Sequence, residues 1–322
     1  MPNTVYLLGG QGSQYFGMVS SLYQENTEFR RSMDRLDAAY RDRFGGSVLE
    51  YLYDPRRGLG DPQDDLPRSN AAILMVEYAL AELLTSHGVR PDVLVGASLG
   101  EFTAMAIAGL APVEDVLGFV VEAARLLLTA VPAGGMLTVL GNPGLFEELP
   151  ALHQHTELAS VNHDNHFVLS GDTGGLARAA NVLKERGLMT VALPVRVPFH
   201  SSLLDRVREQ VTELAARSLG FGATPAAPHP GAPVLVSSTT ADVTPGWGAA
   251  DCFEILRRPI AFTKALGAVP GAADARYVDL TPSSTLATLM KTSHRGHRGF
   301  PISTPFGTEP ALLKAVLAEL RP

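Results

Sequence analysis

The residues best suited to chemistry in this chain sit in one short stretch, Val93-Leu94-Val95-Gly96-Ala97-Ser98-Leu99-Gly100-Glu101. Three apolar residues read as the end of a buried strand, and residues 101–108 read as a helix. Between them lies Gly-x-Ser-x-Gly with Ser98 at its centre, the pattern of a nucleophile held on a sharp turn between strand and helix. Gly96 and Gly100 suit that turn, because side chains there would collide with the neighbouring strand and helix. The free N–H groups and partial positive charge of the helix start would stabilise an oxyanion formed when Ser98 attacks a carbonyl. An ordinary strand-to-helix turn without chemistry fits the same spacing.

A second glycine-rich turn, Gly9-Gly10-Gln11-Gly12-Ser13-Gln14, follows the short apolar run 4–8. It either brings backbone close to a ligand or simply turns the chain. It lacks Gly-x-Gly-x-x-Gly and has no lysine after its glycines, so phosphate-binding loops are poor readings. His153, His155, His163 and His166 lie on separate elements without metal-ligand spacing, and no metal is expected. Cys252 stands alone, which excludes an internal disulfide and a cysteine metal cluster, and it reads as a small buried apolar residue.

The elements that must position these residues follow from periodicity. Residues 18–43 read as a helix, 53–67 as a Pro/Gly loop, and 71–87 as a long apolar helix capped by Ser69 or Asn70. A helix over 113–129 follows the Ser98 turn. Residues 136–140, 143–153, 158–162, 167–170, 173–186 and 189–195 then alternate as strand, helix, strand, strand, helix, strand. That order within about 60 residues predicts a ferredoxin-like module able to form its own antiparallel sheet. The remaining chain returns through Val197-Pro198-Phe199-His200-Ser201 to helices over 203–219, 250–258, 260–267 and 285–292, with strands over 234–238 and 277–280.

Length and composition agree. With 322 residues, 46% of them hydrophobic, the chain can bury a large core, in one large or two medium domains. The net charge of −7, with no basic run outside the stretch His294, Arg295, His297 and Arg298 near the end, argues against nucleic acid. The N-terminal residues do not resemble a signal peptide and no apolar stretch is long enough to span a membrane, so a cytoplasmic protein is expected.

Three stretches taken together, Gly10-Gln11-Gly12-Ser13-Gln14, Gly96-Ala97-Ser98-Leu99-Gly100-Glu101 and Pro198-Phe199-His200-Ser201, resemble the malonyl-CoA:acyl carrier protein acyltransferase family. This family includes the discrete and embedded acyltransferases of polyketide and fatty acid synthases. The module between serine and histidine and the late stretch Asp279-Leu280-Thr281-Pro282-Ser283 match as well, so the resemblance covers nearly the whole chain. It implies an α/β fold: an α/β-hydrolase-like domain with a mainly parallel sheet over 1–126 and 197–322, and an inserted ferredoxin-like small domain over 127–196. It further implies Ser98 as nucleophile, His200 as its general base, and backbone N–H groups of Gln11 and Leu99 as the oxyanion hole. Asn162 falls where the family often has an asparagine near the site. The acyl groups would travel on the phosphopantetheine of an acyl carrier protein or on CoA, with no bound cofactor, and the protein would be a monomer.

Two departures bear on the substrate. Malonyl-type enzymes hold the free carboxylate with an arginine in the helix after the nucleophile, and an ungapped count places Ala123 there. Arg125 comes two residues late, about 200° around a helix, and should point elsewhere. A slip in that count would make Arg125 the clamp. Ala97 stands where malonyl-type enzymes commonly have histidine, which removes a polar group and enlarges the pocket. Ile255 replaces a frequent polar residue near the histidine. Phe199 follows the malonyl-type pattern and limits branching at the α-carbon. A non-malonyl, neutral acyl group, with bulky and aminoacyl groups included in that class, is therefore expected, moved between carrier-protein (or CoA) thioesters in polyketide biosynthesis. The alternatives are an editing hydrolase that clears acyl carrier proteins, an ordinary malonyltransferase, and a non-catalytic carrier-protein docking module. Arg186, Arg196, Arg257, Arg258, Lys264, Lys291, Arg295 and Arg298 are candidate contacts to an acidic carrier protein.

Overall fold

Strand β1 (Thr4–Leu8) is buried along its whole length, as expected for a parallel strand covered on both faces. The structure, a computed structural model, describes residues 3–222, 224–293 and 296–320. After β1 come α1 (Ser20–Glu25), α2 (Thr27–Phe44), α3 (Val48–Leu52) and α4 (Leu66–Ser86), which return the chain to β2 (Val93–Gly96) beside β1. Helices α5 (Leu99–Ile107) and α6 (Val113–Ala130) follow. The expected helix over 18–43 is two helices. Asn26 breaks it, its side chain accepting from the Phe29 N–H at 2.9 Å to cap α2.

The chain then forms a separate antiparallel sheet from β3 (Gly134–Leu140), β4 (Glu157–His163), β5 (His166–Asp172) and β6 (Met189–Ala192). Short helices α7 (Leu145–Glu148) and α8 (Pro150–His153) precede β4, and α9 (Thr173–Glu185) precedes β6. The strand order β4-β5-β3-β6 is the ferredoxin-like arrangement. Its outer face packs Leu137, Val139, Phe167 and Leu169 against α8 and α9. All four strands lie between residues 134 and 192, while α6 runs past residue 126 to Ala130.

A 3-10 turn (Ser202–Val207) and α10 (Arg208–Leu219) lead back to the large sheet through β7 (Val234–Ser237) and the short β8 (Asp242–Thr244). Next come α11 (Ala249–Arg257), α12 (Phe262–Gly267), β9 (Arg276–Asp279), α13 (Thr285–Ser293), β10 (Arg298–Pro301) and α14 (Glu309–Leu320). The large sheet runs β10-β9-β1-β2-β7-β8, parallel except for the β7–β8 pair. The chain moves from β1 outward through β2 to one edge and through β9 to the other. The strand order therefore reverses at β1, and in such sheets ligands bind outside the carboxyl ends of the strands at that point. The Gln11 turn leaves β1 there and the Ser98 turn leaves β2 there. A bridge between Ser160 and Ile260, with the Ile260 N–H donating to Ala159 O at 2.8 Å, ties the small sheet over the same place.

Candidate active site

Ser98 occupies the turn between β2 and α5 with φ 56° and ψ −120°, a conformation that L-residues rarely adopt. Such strain costs on the order of 1–3 kcal/mol and persists only where surrounding structure enforces it. The enforcement comes from packing around two glycines. A Cβ at Gly100 would lie 2.2 Å from the backbone C and O of Leu8, and one at Gly96 would lie 2.6 Å from Cα of Glu101. Gly100→Ala is therefore expected to destabilise the fold by at least about 2 kcal/mol, seen as a lower urea midpoint. A variant as stable as the parent would contradict this close packing of β1 on α5.

His200 reaches Ser98 from a hundred residues away, with Nε2 2.9 Å from Ser98 Oγ. Its Nδ1 lies 2.6 Å from the carbonyl oxygen of Arg258, and its own N–H donates to Leu256 O at 2.8 Å. A carbonyl only accepts, so Nδ1 carries the proton and Nε2 presents a lone pair to the serine hydroxyl. Burial pushes the imidazole down to about 4, against the pull of the Arg258 carbonyl. The ring is thus neutral at ordinary pH, as a general base must be. Ile255 is buried in the core, and a backbone carbonyl performs the orientation.

The Gln11 turn stands against the start of α5, where a Cβ at Gly10 would lie 3.2 Å from Leu99 N. Among the described residues, neither the Gln11 N–H nor the Leu99 N–H donates to a protein acceptor. Two free backbone donors at the edge of one cavity are the components of an oxyanion hole. The Gln11 side chain fixes its own turn. Its Nε2 donates to Ser69 Oγ at 2.9 Å and to Asn70 Oδ1, while Gln14 Nε2 donates to its Oε1 at 2.7 Å. Ser69 and Asn70 do not cap α4, contrary to expectation. Asp65 does, accepting from the Arg68 N–H at 3.2 Å, which leaves Ser69 and Asn70 within the helix to hold Gln11.

Three fully buried carboxyls hold the surrounding turns; Glu101 and Asp279 fall in motifs singled out from sequence, and Glu77 does not. Glu77 accepts from the Gly9 N–H at 2.6 Å and Thr103 Oγ1 at 2.8 Å, and burial raises its pKa strongly. Glu101 accepts from Ser237 Oγ at 2.6 Å, Thr239 Oγ1 at 2.7 Å and the Thr239 N–H at 3.0 Å, joining α5 to the end of β7. Burial pushes it up to about 7 although these donors oppose the shift. Asp279 accepts from the Thr281 N–H at 2.8 Å and the Ala287 N–H at 2.6 Å, and burial raises it to about 6. Glu77 could have been suspected as the one charge within the apolar run 71–81.

The dyad opens into a cavity of about 210 Å³. Its lining includes Gln11, Ala97, Ser98, Leu99, Phe199 and His200, together with Asn162 from the small sheet. Met136, Thr138, Ser160, His166 and Val168 complete the small-sheet wall, which sequence reasoning represented only by Asn162. Asn162 accepts from Ser160 Oγ at 2.6 Å and its Nδ2 lies 3.1 Å from His166 Nδ1. No lysine or arginine side chain lines the cavity among the described residues. Ala123 is a correction to the expected pocket: it is buried in the main core and does not reach the cavity lining. Arg125 lies with its guanidinium 4.7 Å from the Phe44 ring centre, outside the cavity. His153, His155 and His163 are also outside it, and no group of three potential metal ligands occurs among the described residues.

The candidate surface cations differ in availability. Arg186, Lys264 and Lys291 are exposed. Arg196 pairs with Asp64 at 3.3 Å, Arg258 with Glu254 at 2.7 Å and Arg298 with Glu319 at 2.6 Å. Arg257 is mostly buried and braces Asp205 at 2.8 Å and Glu157 at 3.6 Å, so it is a cross-link rather than a free contact. Arg295 lies outside the described residues.

Comparison with known proteins agrees with this geometry. The acyl transferase domain family matches residues 5–303. The polyketide biosynthesis acyltransferase homolog BaeD of Bacillus velezensis is 38% identical over 316 residues, covering 97% of this chain and 95% of the relative. The homolog PksD of Bacillus subtilis is 36% identical over 308 residues, covering 95% and 93%. Among solved structures, the acyl transferase domain of SpnD in complex with 2-(pent-4-yn-1-yl)malonyl superimposes with a TM-score of 0.84 at 26% identity, covering all of this chain and 79% of that one.

Proposed function

The chain belongs to the acyl transferase domain family, and from that premise we propose that it moves neutral acyl groups between carrier-protein or CoA thioesters in polyketide biosynthesis, through an ester on Ser98. One observation carries the substrate class. The cavity around the dyad has no lysine or arginine in its described walls, and burying an unpaired malonyl carboxylate there would cost several kcal/mol, on the order of a lost ion pair. The polyketide context is supported by the names of the Bacillus relatives.

In the first half-reaction Ser98 Oγ attacks the thioester carbonyl while its proton passes to Nε2 of His200. The oxyanion faces the N–H groups of Gln11 and Leu99. Collapse breaks the C–S bond, and the imidazolium returns the proton to the departing thiolate. A buried imidazolium is unfavourable by itself, and the oxyanion formed in the same step offsets that cost. The acceptor thiol repeats the sequence in reverse and frees Ser98. Water in place of the thiol gives hydrolysis from the same intermediate.

The test is loading from malonyl-, acetyl- and longer acyl-carrier proteins, with the Ser98 ester followed by intact mass before and after a second carrier protein is added. Neutral groups should load faster than malonyl by about tenfold or more, and the ester should persist until the acceptor arrives. Preferred malonyl loading overturns the substrate class. An ester that disappears without an acceptor replaces transfer by hydrolysis.

A further inference from the structure

The cavity wall contributed by the small sheet does not end at the cavity. Side chains alternate along a strand, so Met136, Thr138 and Leu140 of β3 share one face. Met136 and Thr138 line the cavity, and Leu140, one step further, is 45% exposed. In the neighbouring strand Thr138 pairs with Val191 and Leu140 with Met189, and paired residues project to the same side. Val191 is 51% and Met189 64% exposed, while Leu193, beyond β6 with its N–H on Met136 O at 3.0 Å, lines the cavity. Two rows, apolar except for Thr138, thus start beside the dyad and run out to solvent.

β6 is the edge of its sheet, and it carries Met-Thr-Val-Ala with no charge. Exposed apolar edges are usually blunted by lysine or proline, because they invite association. A contiguous apolar strip left open beside a catalytic cavity marks a surface kept for a ligand. The cavity itself, about 210 Å³, is smaller than pockets that enclose drug-sized ligands. An acyl chain of many methylenes would overflow it, and this strip adjoins the cavity lining at Thr138 and Leu193.

We propose that Leu140, Val191 and Met189 form an outer subsite for the distal part of long, apolar acyl chains. This rests on the neutral-acyl reading above. A long chain gains about fourfold in kcat/KM for each methylene covered by the strip, so selectivity rises with length once the cavity is full. The chain is selected by contact, with no hydrogen bond required, which suits varied unbranched acyl groups.

The experiment measures Ser98 acylation from malonyl-, acetyl-, hexanoyl- and dodecanoyl-CoA, with the parent and with Val191→Asp and Met189→Asp. Both positions are exposed, so these variants should fold, and an unchanged thermal midpoint checks this. CoA replaces the carrier protein so that protein docking does not contribute. The parent should favour dodecanoyl, and both variants should lose about tenfold or more on dodecanoyl while acetyl changes less than about twofold. Equal losses on acetyl and dodecanoyl, or no loss on either, overturn the subsite. A parallel assay with the same acyl groups on a carrier protein, and size-exclusion chromatography of each protein, complete the test. A loss confined to carrier-protein substrates would make the strip a protein-docking surface, and a dimeric parent beside a monomeric variant would make it a self-association surface; either overturns the subsite. Malonyl as the best substrate overturns the neutral-acyl reading itself, a result distinct from these.

Discussion

Ser98→Ala should abolish the acyl-enzyme and lower transfer by roughly 10⁵-fold, with the fold intact. Removing the nucleophile of a serine acyl-transfer site leaves only the contribution of the oxyanion donors and of binding. The Ser98 side chain makes no capping bond to α5, so its loss removes the contact to His200 and little else. Ser98→Gly sharpens the prediction. Glycine adopts φ 56° without strain, so this variant should be about 1 kcal/mol more stable than Ser98→Ala while equally inactive. Such a pair separates the cost of the turn from the chemistry it serves. Intact-mass measurement and urea denaturation of both proteins decide it. An acyl adduct on either variant would show that another residue is the nucleophile.

His200→Ala should cost nearly as much, about 10⁴-fold or more, because a serine hydroxyl without its base is a poor nucleophile and the leaving thiolate loses its proton donor. The loss should fall on the acylation rate, with KM little changed. The parent's pH dependence carries the signature of this histidine. Neutral imidazole is the active form, and burial holds its pKa down to about 4. Hence kcat/KM should stay level from neutral pH to about 5 and fall only below that, where an exposed histidine would already lose activity near 6.5. An acid limb near 6.5 would contradict the buried geometry. Stability is a less direct readout. The folded state binds fewer protons at His200 than the unfolded state between about 4 and 6.5, so this group lowers stability as the pH falls through that window. Glu101, raised to about 7, and Asp279, raised to about 6, bind more protons when folded and act in the opposite direction.

Sequence alone conveys much of this arrangement because its signals are local. The buried strands before Gln11 and Ser98 read as apolar runs, and the βαββαβ order of the small sheet follows from alternation of periods. What stayed hidden depends on backbone groups and on distant partners. No side-chain pattern announces that the Arg258 carbonyl orients His200, since any residue supplies a carbonyl. Ser69 and Asn70 have the composition of helix caps, yet Asp65 lies four and five residues earlier and starts the helix first. Their side chains then serve Gln11, 58 and 59 residues away in sequence. Counting along a helix puts Ala123 in the pocket, but counting gives an angle without saying which neighbours stand between that face and the cavity. The small-sheet wall is invisible for the same reason: Met136, Thr138 and Val168 become cavity residues only once β3 and β5 pair and the sheet is laid over the Ser98 turn.

The central claim is that this acyltransferase family member carries an uncharged acyl group on Ser98. Its most direct test is a competition in one tube: the parent protein with equal concentrations of malonyl-CoA and acetyl-CoA, quenched early and read by intact mass. Acetyl-Ser98 should dominate, absent in the Ser98→Ala control. A dominant malonyl adduct would contradict the claim and require a carboxylate-binding cation that the cavity's described walls do not contain.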